Sequence, residues 1–150
     1  MVDPITRPEL REAIELLYFG YRAFTDEPDR ILARRGLGRV HHRILHFVGG
    51  TPQISVKGLL GILAVTKQAL NAPLRQLIEM KLVTATADAA DRRIKRLSLT
   101  PAGQALEAEL TAAQARLLSE AFDSEGGEAA GGWRRIMQRL ANPAIGGELD

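Results

Sequence analysis

Between Ser55 and Leu99 the apolar residues first recur at helical spacing and then alternate, and this switch most narrows the folds open to the chain. Ser55 is suited to cap a helix carrying Leu59, Leu60, Ile62 and Leu63. Ala64-Val65 makes a short turn, and Thr66 caps a second helix in which Leu70, Leu74, Leu77 and Ile78 recur at i, i+4, i+7 and i+8. That stripe predicts one buried face and leaves Lys67, Gln68, Asn71 and Arg75 exposed on the other. Directly afterwards Leu82-Val83-Thr84-Ala85-Thr86 is β-prone, residues 87–91 are small and polar, and Ile94-Lys95-Arg96-Leu97-Ser98-Leu99 alternates at period two. Two helices joined by a tight turn, the second exposing polar and basic groups near its start, make a helix-turn-helix pattern. The hairpin behind it, apolar inside and carrying Arg92, Arg93, Lys95 and Arg96 outside, is a wing.

The flanks read as helices. Leu10, Ala13, Ile14, Leu17, Tyr18 and Tyr21 predict an amphipathic helix from about Pro8 to Ala23, stopped by Asp26 to Pro28. A short helical stretch is expected over 29–34, ended by Gly36 and Gly38, then a helix from Arg39 to Val48 closed by Gly49-Gly50. Thr100 caps the next long helix with Pro101 at its first position, where the missing N–H is harmless. Leu106, Leu110, Ala113, Leu117 and Ala121 continue it. Residues 124–132 hold four glycines and read as a loop, Trp133 to Leu140 as a final helix closed by Asn142-Pro143, and the tail from Ala144 as frayed. The fold class expected is mainly α with a two- or three-stranded β-wing, in one domain over 1–150. Its winged helix-turn-helix spans about 36–100, and the helices over about 8–34 and 101–141 are more apolar than so small a unit can cover. Dimerisation through them is the expectation; folding back on their own domain is the alternative.

Charge points the same way. Residues 1–33 carry a net −3, residues 34–100 a net +9 and residues 101–150 a net −4, within a chain of formal net charge +2. A strongly cationic middle between acidic ends presents a local field to a polyanion. The chain has no cysteine, which excludes disulfides, thiol redox switching and thiolate metal ligation. No apolar run spans a bilayer and the acidic N-terminus is unlike a signal peptide, so a cytoplasmic protein without a membrane partner is expected. No Ser/His/Asp or paired-carboxylate constellation suggests an enzyme, and no cofactor is expected.

With these elements in place, the chain resembles the MarR family (multiple antibiotic resistance regulators) over roughly residues 8–140. The most specific part is Asp91-Arg92-Arg93 followed by Leu99-Thr100-Pro101-Ala102-Gly103, which is similar to the family's Asp-x-Arg wing motif and Leu-Thr-x-x-Gly helix start. The frame Leu59 to Val83 runs without a gap against the family's helix-turn-helix. The resemblance implies a homodimeric, bacterial DNA-binding transcriptional regulator, a repressor or an activator, acting on a pseudo-palindromic operator. Ser55, Thr66, Lys67, Gln68, Asn71 and Arg75 are then expected at the DNA, where Arg reads guanine and Gln or Asn reads adenine. Arg92, Arg93 and Lys95 join them from the wing, arginines at a narrow tip being suited to a minor groove. Asp91 is expected to hold Arg93 or the loop backbone, a turn residue being the alternative. Pro73 departs from the family pattern and predicts either a kink or a regular helix that begins nearer Asn71. Gly58 and Gly61 weaken the first helix of the motif, and Ala64 and Lys81 replace glycines common in the family.

His41, His42 and His46 are the only histidines. His42 and His46 have the i, i+4 spacing that can bind zinc, but two ligands beside Arg43 do not make a site, and no metal is expected. The resemblance also implies a small-molecule effector of aromatic or phenolic type, for which Tyr18, Arg22, His42 and His46 are candidates. The competing function is a winged-helix protein-interaction module without specific DNA binding.

Overall fold

The computed structural model describes residues 6–142. Six helices and three short strands follow in the order α1 (Arg7–Ala33), α2 (Arg39–Gly50), β1 (Ile54–Ser55), α3 (Val56–Leu63), α4 (Lys67–Glu79), β2 (Val83–Ala87), β3 (Lys95–Leu99), α5 (Pro101–Glu125) and α6 (Gly127–Ala141). The strands form an antiparallel sheet in the order β1-β3-β2, with Ile54 opposite Leu97 and Val83 opposite Leu99. This is the expected winged helix-turn-helix with flanking helices. The chain divides between Gln114 and Ala115 into two compact units.

In the first unit the core is almost wholly aliphatic, with Leu32, Ile44, Leu45, Leu59, Leu70, Leu77, Leu82, Leu97 and Leu110 fully or almost fully buried. α4 and α5 bury the faces their periodicity marks, Leu70, Leu74 and Leu77 from the one and Leu106, Leu110 and Ala113 from the other. The periodic stripe Leu10, Ile14, Leu17, Tyr18 and Tyr21 of α1 is exposed, and α1 buries Thr25, Pro28 and Leu32 instead. The exit from the wing is built from the Leu-Thr-x-x-Gly segment. Thr100 donates its hydroxyl to Lys81 O at 2.6 Å and accepts from Gly103 N–H at 3.0 Å, while its own N–H donates to Leu82 O at 3.0 Å. Gly103 is where α5 meets this corner, and a Cβ there would lie 2.0 Å from Leu82 O. In the second unit Phe122 and Trp133 pack with ring centroids 5.2 Å apart and planes tilted by 57°.

Four local expectations are corrected. Asp26 to Pro28 does not stop α1, which runs unbroken from a Thr6/Glu9 capping box to Ala33. An interior proline costs about 3 kcal/mol, but Thr25, Pro28 and Leu32 share the buried face of α1, and that packing holds the helical path. Gly49 and Gly50 lie inside α2 and Thr51 is its C-cap; Gly49 serves packing, since a Cβ there would meet Leu99 Cδ1 at 3.0 Å. In the glycine-rich stretch only Gly126, at φ +96°, interrupts the helices, and Gly131 and Gly132 are helical. Finally, α4 is helical from Lys67 with Pro73 inside it, so it does not begin at Asn71. Pro143 and the tail from Ala144 lie outside the described residues.

Candidate nucleic-acid interface

The two helices of the motif are capped as their sequences require. Ser55 accepts from Gly58 N–H at 2.9 Å and Thr66 from Ala69 N–H at 3.1 Å, so both hydroxyls act first as helix caps. Between them Ala64 closes α3 in a left-handed conformation, φ 53°. At the far end of α4 the Leu82 N–H donates to Leu77 O and the Lys81 N–H to Ile78 O, a complete Schellman turn with Lys81 at φ 61°. Both residues stand where the family favours glycine, and both take the backbone conformation that glycine takes most easily. With Leu70, Leu74 and Leu77 buried, Lys67, Gln68, Asn71 and Arg75 are left on the exposed face. The structure thus places all four together on one helix, as the stripe implied.

The wing is organised by two carboxylates. Asp91 accepts from the Arg93 backbone N–H at 3.1 Å and from Arg93 Nε and Nη2 at 3.0 Å each. Asp88 accepts from the Ala90 and Asp91 N–H groups through one oxygen and from Arg96 Nε at 3.0 Å through the other. The Arg93 guanidinium and then its N–H hold the Asp91 carboxyl below its usual range, and Asp91 in turn raises Arg93. For Asp88 the Asp91 N–H is the larger cause and Arg96 the next. Arg93 keeps a side chain 90% exposed, and Arg92 and Lys95 are exposed as well. Arg96 is half-buried against Asp88 and reaches Gln53 O at 3.5 Å, which makes it a strut at the base of the wing. Asp91 therefore clamps Arg93, while Asp88 was not singled out; the signal for it was an Asp preceding two loop N–H groups.

The residues considered for an effector fall into two places. Arg22 lies over the exposed Tyr18 ring at 5.9 Å, both on α1. His42 and His46 lie one turn apart on α2, where burial first and His46 second lower the pKa of His42. His46 Nδ1 stands 3.9 Å from Glu107 Oε1, and Arg39 pairs with Asp29 at 3.0 Å beneath the Tyr21 ring. A shallow cleft of about 200 Å³ is lined by Val48, Gly49, Pro52, Ser98, Leu99 and Glu107, among others, and includes none of the four. Among the described residues no group of three or more His, Asp or Glu side chains is placed to hold a metal. Among the described residues no helix is long and apolar enough to cross a membrane.

Comparison with known proteins places this geometry. A model of the MarR family matches residues 35–94, from the α1–α2 turn to the wing. The HTH-type transcriptional regulator PetP of Rhodobacter capsulatus is 40% identical over 141 residues, covering 94% of this chain and 85% of the relative. Among solved structures, a MarR family transcription regulator superposes with a TM-score of 0.76 at 20% identity, covering 95% of this chain and 93% of the other. Staphylococcus aureus MarR, solved in complex with salicylate and kanamycin, gives 0.73 at 20% identity, covering 93% and 94%.

Proposed function

The chain belongs to the MarR family of transcriptional regulators, and from that premise we propose that it acts as a homodimer on a pseudo-palindromic operator in double-stranded DNA. The observation that carries the reading is the presence of two exposed polar and cationic elements in the first unit. One is the Lys67, Gln68, Asn71 and Arg75 face of α4; the other is the carboxylate-clamped wing with Arg92, Arg93 and Lys95. The α4 N-terminus, with Lys67 beside it and Thr66 as its cap, offers N–H groups and positive charge to a phosphate. Gln68, Asn71 and Arg75 then have the chemistry to meet base edges in the major groove. The wing supplies guanidinium groups to the adjacent minor groove, and the Asp91 clamp orders Arg93 before DNA arrives, so less entropy is lost on binding.

Dimerisation is supported by α1, a helix about 40 Å long whose first turns expose Ile14 at 69%, Leu17 at 57%, Tyr18 at 59% and Phe19 at 55%. In the second unit α6 likewise exposes Trp133, Ile136 and Leu140. Apolar surface of this extent calls for a partner, and a second copy satisfies a palindromic site by symmetry. A small aromatic acid is the proposed effector, its carboxylate meeting Arg22 and its ring Tyr18, which already lie together on α1. A ligand bound against helices that carry the dimer would shift the spacing of the two recognition helices and so the DNA-competent population.

Selection of bound genomic fragments by the purified protein at physiological salt tests the reading, with enrichment of an inverted repeat expected. On that fragment Arg92→Ala with Arg93→Ala should weaken binding and reduce the salt slope by about two per protomer. No enrichment would favour the interaction-module reading, and an unchanged slope would count against the wing.

A further inference from the structure

We propose that His41 and Gln76 form a bracket that seats the recognition helix α4, making His41 a positioning residue for DNA binding. The inference rests on the proposed operator binding. His41 is one of two polar residues in the buried set of the described chain, the other being Thr25. Its Nδ1 accepts from Gly38 N–H at 2.9 Å, at the start of α2. An acceptor nitrogen carries no proton, so the ring proton sits on Nε2, which donates to Gln76 Oε1 at 2.9 Å. The amide of Gln76 is thereby oriented, and its Nε2 donates back to Gly36 O at 3.4 Å. Three hydrogen bonds thus close a loop from the α1–α2 turn through His41 to α4 and back to that turn.

The loop supplies what the core lacks. Leu70, Leu74 and Leu77 hold α4 by apolar packing, which is non-directional and tolerates rotation or sliding of the helix. Hydrogen bonds are directional, and Gln76 follows Arg75 directly on the chain. Pro73 adds to the need for such an anchor, since it removes one N–H from the α4 ladder three residues before Gln76.

The test separates the two ends of the imidazole. His41→Asn keeps an acceptor for Gly38 and loses the reach to Gln76, whereas His41→Gln places its amide nitrogen where Nε2 stands. Operator affinity is measured at a temperature where circular dichroism shows every variant folded. His41→Asn should weaken binding about fivefold, as expected for one net hydrogen bond, and Gln76→Met, which loses the bonds to both His41 and Gly36 O, by at least as much. His41→Gln should retain most of the affinity. The salt slope should stay unchanged in all three, because no phosphate contact is removed. Imidazole nitrogen NMR on the wild type should show a bare Nδ1 and a protonated Nε2. Wild-type affinity in His41→Asn, or equal losses in His41→Asn and His41→Gln, would overturn the bracket. Should His41→Asn not fold, Gln76→Met decides alone. Should the wild type select no operator, the proposed function fails, and amide exchange over 67–79 in the free protein decides: faster in His41→Asn than in His41→Gln supports the bracket, equal rates overturn it.

Discussion

Replacing Gly103 with alanine sets two physical effects against each other. By helix propensity alone the change should stabilise α5, by up to about 1 kcal/mol at an interior position. The structure predicts the opposite sign. An alanine Cβ would lie 2.0 Å from Leu82 O and 2.9 Å from Leu82 C, backbone atoms that no side-chain rotation can clear. Relief requires α5 and the Lys81–Leu82 corner to part by more than about 1 Å, a severe form of the overpacking that ordinarily costs 1–3 kcal/mol. Parting them also stretches the Thr100 N–H to Leu82 O bond of 3.0 Å, worth about 1 kcal/mol. Subtracting the propensity gain leaves a net destabilisation of roughly 1–3 kcal/mol, at the upper end for so close an approach. Urea unfolding followed by circular dichroism at one fixed protein concentration reads this as a lower midpoint with an unchanged slope. The neighbouring exposed Ala102→Gly is the control and should cost about 1 kcal/mol or less. A Gly103→Ala protein as stable as the wild type would refute the close approach.

The left-handed residues give the converse test: Ala64→Gly and Lys81→Gly should each raise stability by up to about 1 kcal/mol in the same urea assay, because their φ values of 53° and 61° strain a side chain. Unchanged or lowered midpoints would mean that the strain is relieved elsewhere. In the wing, Asp91 is held below its ordinary 3.8, first by the Arg93 side chain. Its clamp should therefore be intact above the unfolded-state value and lost as pH falls through the lowered folded value. NMR titration of the wing amides should show that transition, and Asp91→Asn should abolish it; a midpoint at or above the ordinary value would contradict the clamp. His42 runs the other way: burial lowers its pKa below 6.5, so the unfolded chain takes up the proton first and stability falls as pH drops from there through the folded value. His42→Gln should flatten the unfolding midpoint across that window, and an unaltered profile would assign the effect to another group.

Much of the helix-turn-helix was legible because its determinants are local. Ser55 and Thr66 each cap a helix by accepting from an N–H three residues on, and Leu70, Leu74 and Leu77 declare a buried face within a single segment. The Asp91–Arg93 clamp was legible for the same reason, its partners being two residues apart. Local signals misled at two places, and burial accounts for the first alone, since α6 has no buried residue. Pro28 reads as a helix stop but lies on the buried face of α1, and Gly131 and Gly132 read as loop but lie within α6.

The sequence by itself determined the helix-turn-helix, the hairpin behind it, the face α4 buries, and the concentration of positive charge on residues 34–100. Period, capping and charge are properties of neighbours along the chain, and a linear reading captures them. Only the tertiary structure decided which polar groups meet across it. Asp88 finds Arg96 eight residues away across the hairpin, Gly103 meets the Leu82 carbonyl, and His41 reaches Gln76 on another helix. Hydrogen bonds and steric contacts act over about 3 Å, and no spacing rule says which distant residues folding will bring that close.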